Sequence, residues 1–222
     1  MAARLCLLAL FLCMLSGCGG SHASSDTGQL RFVQASPDAP QINLLADGKN
    51  VASDLLYMNS SGYVSLAAGS HNIQAVAVNG SQAILSSTVS IAPSKNQTIL
   101  LTGLAANPQS LLLADGGTKP ATAGDAELRV VNAAVSITAA DVYIVAAGSG
   151  LAKPAASNLA FNKDTGYLEF GPGNYQIFLT APGTVSVLLG AGPINVTSSQ
   201  NLTIVALDNP AGGFTFTVLT DQ

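Results

Sequence analysis

The segment Leu30–Ala35, which reads Leu-Arg-Phe-Val-Gln-Ala, returns near the middle of the chain as Leu128–Ala133, with the order Leu-Arg-Val-Val-Asn-Ala. Both segments are short, mainly apolar runs of the kind that predicts a β-strand. Further matches follow in the same order, and their spacing grows only slowly along the chain, which indicates two copies of one module that differ by short loop insertions. The other matched pairs are Gly62–Val64 with Gly166–Leu168, Thr98–Leu100 with Thr203–Val205, and Leu113–Asp115 with Leu219–Asp221.

These two copies set the predicted division of the chain. We place the first copy at residues 29–115 and the second copy at residues 126–222. Residues 116–125 between them have the Gly-, Pro- and Thr-containing composition of a linker. A length of 222 residues accommodates two domains of this size.

Each copy is predicted to be all-β. The chain has 22 glycines and only 9% charged residues, and neither copy holds a helical apolar stripe over several turns. Short apolar runs separated by turn residues predict seven strands in the first copy, which favours an immunoglobulin-like or Greek-key β-sandwich. We therefore expect two tandem sandwiches. The predicted strands are Leu30–Ala35, Gln41–Ala46, Gly62–Ala67, His71–Val78, Ala83–Ile91, Gln97–Leu104 and Ser110–Ala114.

Two hairpin turns are marked by glycine. Asn79 and Gly80 lie between two apolar runs and predict a two-residue type I′ turn, in which both central residues have a positive φ. Pro182 and Gly183 occupy the same place in the second copy and predict a type II turn, where the glycine supplies the single positive φ. Gly80 and Gly183 are therefore the predicted structural turn positions.

The beginning of the chain has the pattern of an export signal. Arg4 precedes the uncharged apolar run Leu5–Leu15, which is shorter than the roughly 20 residues that a membrane-spanning helix needs. Leu15-Ser16-Gly17-Cys18 resembles the lipobox of bacterial lipoproteins, in which a diacylglycerol alkylates the cysteine thiol. The resemblance implies a lipoprotein signal peptide at residues 1–17, lipidation at Cys18 and a flexible lipidated tether at residues 18–28.

Lipidation would decide both location and partners. Acyl chains on Cys18 would hold the protein on a lipid bilayer of the bacterial cell envelope. Gly19 stands where lipoproteins retained in the inner membrane of enterobacteria carry aspartate, so we expect the outer membrane. The formal net charge of −4 excludes a polybasic nucleic-acid binder. All three cysteines, at positions 6, 13 and 18, precede the two copies, which therefore lack the thiols for a disulfide or a Cys-based zinc site.

The opening of the first copy carries a family resemblance. The segment Leu30–Pro40, which ends in Ala-Ser-Pro-Asp-Ala-Pro, and the following Ile42–Gly48 resemble the start of the family called domain of unknown function 4397. The second copy departs from this pattern, because Ala134–Thr138 replaces the Ser-Pro-Asp segment. The resemblance implies an exported β-rich module without an assigned activity.

Few residues of the two copies suggest catalysis. His71 follows Ser70, but neighbours on a strand point to opposite faces, so we predict a surface histidine rather than a hydrolase base. The two glutamates, Glu127 and Glu169, show no motif of a glycosidase pair, and Glu169 is predicted to face solvent. No catalytic residue is assigned, and no metal or cofactor is expected, because His/Cys clusters and Gly-rich phosphate loops do not occur.

We interpret the aspartates and most of the tyrosines as structural residues. Asp115 and Asp221 fall at predicted strand ends, where aspartate side chains bind nearby backbone amides. Most aromatic residues are expected in the cores. Tyr143, Tyr175 and Tyr57 leave open an exposed platform for a carbohydrate.

Three functions remain open from the sequence. The first is a non-catalytic, envelope-anchored lipoprotein that serves as a structural or protein-interaction module of unknown partner. The second is a surface lipoprotein that binds a carbohydrate or a peptide. The third, with less support, is an envelope hydrolase. An exposed apolar or aromatic patch away from the strand edges would favour the second, and a cleft that gathers two carboxylates, or His71 with one, would favour the third.

Overall fold

A computed structural model describes residues 26–117, 120 and 122–222, so the predicted signal peptide and Cys18 lie outside the described residues. The first half contains eight strands. They are β1 (Thr27–Gln34), β2 (Ile42–Ala46), β3 (Lys49–Leu55), β4 (Val64–Ala67), β5 (Gly69–Ala77), β6 (Ala83–Ile91), β7 (Asn96–Leu104) and β8 (Asn107–Ala114). The second half contributes β9 (Ala126–Asn132), β10 (Ala139–Ala146), β11 (Ala156–Ala160), β12 (Lys163–Asp164), β13 (Leu168–Phe170), β14 (Gly173–Thr180), β15 (Val187–Val196), β16 (Asn201–Asp208) and β17 (Phe214–Asp221).

The strands form four sheets with the same order in each half. In the first half the sheets run β4-β1-β7-β8 and β3-β2-β5-β6. In the second half they run β12-β9-β16-β17, with β13 also paired to β9, and β11-β10-β14-β15. The pairs β1–β7 and β9–β16 are parallel, and the other pairs are antiparallel. The predicted all-β fold with β-sandwich domains is confirmed.

Each half has a core between its own two sheets. Leu30 and Phe32 of β1 point into the first core, where Ile42, Leu44 and Ile73 of the facing sheet meet them. Leu128, Val130 and Ile204 occupy the corresponding place in the second half, against Val142 and Ile177. The alternation of side chains along β1 and β9 leaves the intervening residues on the other face of each sheet.

That other face joins the two halves. A third apolar cluster packs the outer face of the β1 sheet against the outer face of the β9 sheet, so β1, β7, β9 and β16 are buried on both faces. This double burial explains why the repeated segments read as nearly continuous apolar runs rather than as alternating ones. The buried members of the shared cluster are Val33, Ala35, Leu100, Leu113, Val131, Ala133, Val205, Leu207 and Leu219.

The seven strands predicted in the first half coincide with observed strands, and the prediction missed β3. Lys49, Asn50, Ser53 and Asp54 are exposed in this strand, and only Leu55 is buried. β3 is an edge strand that pairs with β2 alone, and only Val51, Ala52 and Leu55 of it pack on the first core, at a spacing that does not alternate. A hydrophobic pattern therefore gave no signal for it.

The two predicted hairpins exist, but one turn type is wrong. Neither Asn79 nor Gly80 has a positive φ, and the connection between β5 and β6 is longer than a type I′ turn allows, because it spans residues 78–82. The Gly80 N–H donates to the Ala77 carbonyl at 2.9 Å, so Gly80 closes the turn instead of forming its centre. In the second half Gly183 has φ +72°. Its turn closes through the Thr184 N–H and the Ala181 carbonyl at 3.0 Å, as a type II turn requires.

We predict that alanine at these two glycines has unequal effects. Gly183→Ala should lower the free energy of unfolding by about 1–2 kcal/mol, because a Cβ disfavours positive φ even though open space surrounds this position. Gly80→Ala should cost less, because Gly80 has no positive φ, although the new Cβ would lie 3.1 Å from the Ala77 Cβ, a tight contact that requires a small local shift. Thermal unfolding of the whole chain measures both, at about 2–4 °C per kcal/mol for this size. An equal or larger loss in Gly80→Ala would contradict the assignment.

Candidate functional site

Four buried charges meet between the halves. Arg31 lies on β1 and Arg129 on β9, Asp115 follows β8, and Asp221 ends β17. The Arg129 Nη2 donates to Asp115 Oδ1 at 2.7 Å, and the Arg31 Nη2 donates to Asp221 Oδ1. Each arginine therefore binds a carboxylate of the opposite half. The arginine side chains are at most 6% exposed and the carboxylates are fully buried.

Arg31 makes two further hydrogen bonds. Its Nη1 donates to the Thr220 carbonyl at 2.9 Å, and its Nε donates to Thr98 Oγ1 at 2.9 Å. The guanidinium carbon lies 4.7 Å from the centre of the Tyr63 ring, within the range of a cation–π contact. The Tyr63 hydroxyl donates to Asp115 Oδ2 at 2.8 Å. Burial, with the negative charge of Asp115, raises the pKa of Tyr63, so this hydroxyl stays a donor.

Arg129 repeats the arrangement with the matched residues of the second half. Its Nη1 donates to the Ala114 carbonyl at 2.8 Å, and its Nε donates to Thr203 Oγ1 at 3.0 Å. The Tyr167 ring centre lies 4.4 Å from its guanidinium carbon, and the Tyr167 hydroxyl donates to Asp221 Oδ2 at 2.7 Å. Burial raises the pKa of Tyr167 as it does that of Tyr63. The network thus has approximate twofold symmetry across the interface.

The prediction for Asp115 and Asp221 is corrected by this network. Both carboxylates bind the arginine of the opposite half and a tyrosine hydroxyl, instead of nearby backbone amides. Their partners are distant in sequence, so local turn chemistry could not reveal them. The available signal was that the matched segments of both copies carry an arginine and an aspartate at the same places.

The two glutamates, which no sequence motif linked, are cross-strand neighbours. Glu127 on β9 stands opposite Glu169 on β13. Glu127 is buried beside Gly117, and Glu169, exposed as predicted, accepts the Thr122 N–H at 2.6 Å on its Oε1. Both side chains therefore contact the segment between the halves, which is a structural role at the start of the second half.

His71 is held by two acceptors. Its Nδ1 lies 2.7 Å from Asp47 Oδ2, and its Nε2 lies 2.7 Å from the Ala67 carbonyl. The hydrogen bonds to Asp47 and then to Ala67 raise the pKa of His71, and both are satisfied when the ring is protonated. The Asn72 N–H and then His71 lower the pKa of Asp47. Both ring nitrogens face these acceptors instead of the Ser70 hydroxyl, so His71 is not placed to accept a proton from Ser70.

A shallow groove of about 630 Å³ opens on the second half. Asp141 and Tyr143 of β10 lie in it, and Pro154 and Ser157 contribute from the β10–β11 side. The turn between β14 and β15 supplies the opposite wall, with Gly183, Thr184 and Val185. Val185 is 64% exposed, so this wall presents an apolar side chain to solvent.

The structure separates the three tyrosines proposed as a carbohydrate platform. The Tyr57 hydroxyl donates to the Asp208 carbonyl at 2.7 Å across the interface between the halves. The Tyr175 hydroxyl donates to the Gly171 carbonyl at 2.8 Å, beside the Phe170 ring. Of the three, Tyr143 alone lines the groove. Sequence reasoning could not identify the groove, because its walls come from separate connections.

Residues 26–117, 120 and 122–222 show neither a metal-binding cluster nor a membrane-spanning helix. No group of three His, Cys, Asp or Glu side chains there could hold a metal ion. No helix in that part of the chain is long and apolar enough to cross a membrane.

Comparison with known proteins identifies a family. Residues 28–143 match the model of DUF4397, a domain of unknown function. The chain belongs to this family. The match begins at Gly28 within β1, covers the other seven strands of the first half and ends at Tyr143 in β10. It therefore includes Arg31, Asp115 and Arg129 of the network but not Asp221. A search of the curated proteins gives no match.

We predict that the Arg31–Asp221 pair couples the halves energetically. Arg31→Met and Asp221→Leu should each lower the free energy of unfolding by about 3–5 kcal/mol, because each leaves a buried charge without its main partner. The double variant should lose clearly less than the sum of the two. Urea unfolding of the whole chain gives this coupling energy. Lys163→Met, at an exposed cation, serves as the control and should stay within about 0.5 kcal/mol. Strict additivity would contradict the assigned role.

We predict a pH dependence from His71. Since its pKa is raised above 6.5, the folded chain holds this proton more tightly than the unfolded chain. The stabilisation is complete below about pH 6.5 and is lost as the pH rises through the folded pKa. The lowered pKa of Asp47 adds stability that is lost as the pH falls below about 4. An NMR titration of the ring should give a pKa above 6.5 that falls in Asp47→Asn, and a wild-type pKa at or below 6.5 would refute the ion pair.

Proposed function

We propose that the protein is a non-catalytic lipoprotein of the bacterial cell envelope, where it acts as a structural or protein-interaction module. The observation that carries this proposal is Leu15-Ser16-Gly17-Cys18 directly after a short apolar run. The thiol of Cys18 would carry a diacylglycerol, and palmitate is an acyl group of the expected kind. Gly19, rather than aspartate, favours the outer membrane.

We also propose that residues 126–222 are a second copy of the family domain. The identical strand order of the two halves supports this assignment. Further support comes from the matched arginine, threonine, tyrosine and aspartate of each half, which make matched hydrogen bonds. The two copies would then form one rigid body, because the shared apolar cluster and the Arg–Asp network hold them together.

The point where the proposed tether joins the folded part suits a protein that is held on a membrane by its amino-terminal end. Chain residues before β1 enter a strand that pairs with β4 on one side and β7 on the other. The Ser94 N–H donates to the Thr27 carbonyl at 2.8 Å, and the Gln29 N–H donates to the Lys95 carbonyl at 2.8 Å. A pull on a lipid anchor would load a central strand, which is held on both edges, rather than an edge strand that could peel away.

The other two candidate functions have unequal support. Binding of a carbohydrate or a peptide is supported by the groove that contains Tyr143, and it is compatible with an anchored protein. An envelope hydrolase has less support. Both ring nitrogens of His71 face Asp47 and Ala67 instead of the Ser70 hydroxyl, and Glu127 and Glu169 contact the segment between the halves.

We predict that lipidation depends on Cys18. In a bacterial host grown with an alkynyl palmitate analogue, the wild-type chain should become labelled and sediment with the membranes. Cys18→Ser should lose the label and leave the membrane fraction or accumulate as precursor, because the serine hydroxyl is a far weaker nucleophile than the thiol. Cys13→Ser, within the apolar run, is the matched control and should label normally. Labelling that persists in Cys18→Ser, or a wild-type chain without label, would refute the lipoprotein proposal.

A further inference from the structure

The groove exists in the second half because three features differ there at one place. β2 of the first half carries Asn43 and Leu45 where β10 carries Asp141 and Tyr143. The connection after β2 is the tight turn at residues 47–48, whereas the connection after β10 runs over residues 147–155 and brings Pro154 to the groove. The two halves otherwise keep the same strand order. Because these differences lie together at one place, they indicate that this part of the second half has a role other than packing.

Tyr143 supplies an independent indication of a ligand. Its neighbours Val142 and Ile144 point into the core, so its ring lies on the other face of the sheet, where it is only 5% exposed. Among the described residues its hydroxyl makes no hydrogen bond, and it is not one of the fully buried polar atoms, so it opens into the groove. Since Tyr143 lines the groove, a molecule bound there would supply the missing partner.

The other groups in the groove define the chemistry of that molecule. Asp141 Oδ1 accepts the Asn158 N–H and Oδ2 accepts the Gly183 N–H, each at 2.7 Å, so one lone pair of each oxygen remains. Asp141 makes no ion pair within the described part of the chain. The site thus combines a carboxylate acceptor with the Tyr143 and Ser157 hydroxyls, which both donate and accept, beside the apolar surface of Pro154 and Val185.

We propose that this groove binds a carbohydrate. Sugar hydroxyls would donate to Asp141 and exchange hydrogen bonds with Tyr143 and Ser157, while the C–H face of the sugar ring would pack on the apolar wall. A peptide would need its backbone N–H and C=O groups matched, but β10 is paired on both sides and the edge strand β11 reaches the groove only through Ser157. The inference rests on the proposed role as an interaction module and names its ligand class, but it does not depend on lipidation of Cys18.

The test is an NMR titration of the chain from residue 18 to residue 222, which contains every described residue and carries Cys18→Ser to stay free of lipid. The probes are glucose, galactose, mannose and N-acetylglucosamine, each at about 100 mM, which populates even a site with a millimolar Kd. At least one sugar should shift the amide signals of Asn158 and Gly183, which bind Asp141. If none of the four shifts them, the proposal fails, whatever the outcome for Cys18 lipidation.

The first half provides variants that preserve the fold. Tyr143→Leu and Asp141→Asn install the residues found at the matched positions Leu45 and Asn43, and each should weaken binding on the order of tenfold. Tyr143→Phe removes only the hydroxyl and tests the unpartnered group if the leucine variant is unstable. Leu45→Tyr is the control in the half without the long connection and should leave binding unchanged. Unchanged binding in all three groove variants, or shifts from acetyl-lysine methylamide without shifts from any sugar, would overturn the proposal.

Discussion

Two guanidinium groups are buried between the halves of this protein, and a buried charge is tolerated only when an opposite charge and hydrogen-bond acceptors surround it. Arg31 and Arg129 find those partners in the opposite half. Each guanidinium also lies near the aspartate of its own half, at 3.7 Å for Arg31 and 3.8 Å for Arg129. The four charges therefore form one neutral cluster, and separating the halves would return two ion pairs and an apolar surface to water. The strands that carry these charges are packed so that the cluster stays intact.

The interface constrains the sequence of the strands beneath it. A strand buried on one face needs apolar residues at alternate positions only, but β1 and β9 need suitable residues on both faces. In β1 the core side takes Leu30 and Phe32, and the interface side takes Arg31 and Val33. A shift of the strand by one residue would place the arginine in an apolar core, so the register is strongly specified.

This double burial also explains how far the sequence could predict the structure. Repeated segments and short apolar runs predicted the all-β class, most strands and the match between the halves, because burial leaves a pattern in composition. The edge strand β3 left no alternating pattern, since only Val51, Ala52 and Leu55 of it pack on the core. The turn type predicted at Gly80 was wrong, because a longer connection joins the two strands of the hairpin without a positive φ. The role of Asp115 and the groove around Tyr143 depend on tertiary contacts that no local pattern encodes.

The interface between the halves also determines which surfaces can change in sequence and which cannot. β1, β7, β8 and their matched strands carry the interface, where a substitution in one copy must suit the residues of the other. The sheets that contain β2 and β10 contact only their own cores, so their outer faces and connections can diverge without disturbing the pairing of the halves. The largest difference between the halves lies there, at Tyr143 and the long connection that follows β10. Two matched halves can in this way keep one face for rigidity while the other face is free to diverge.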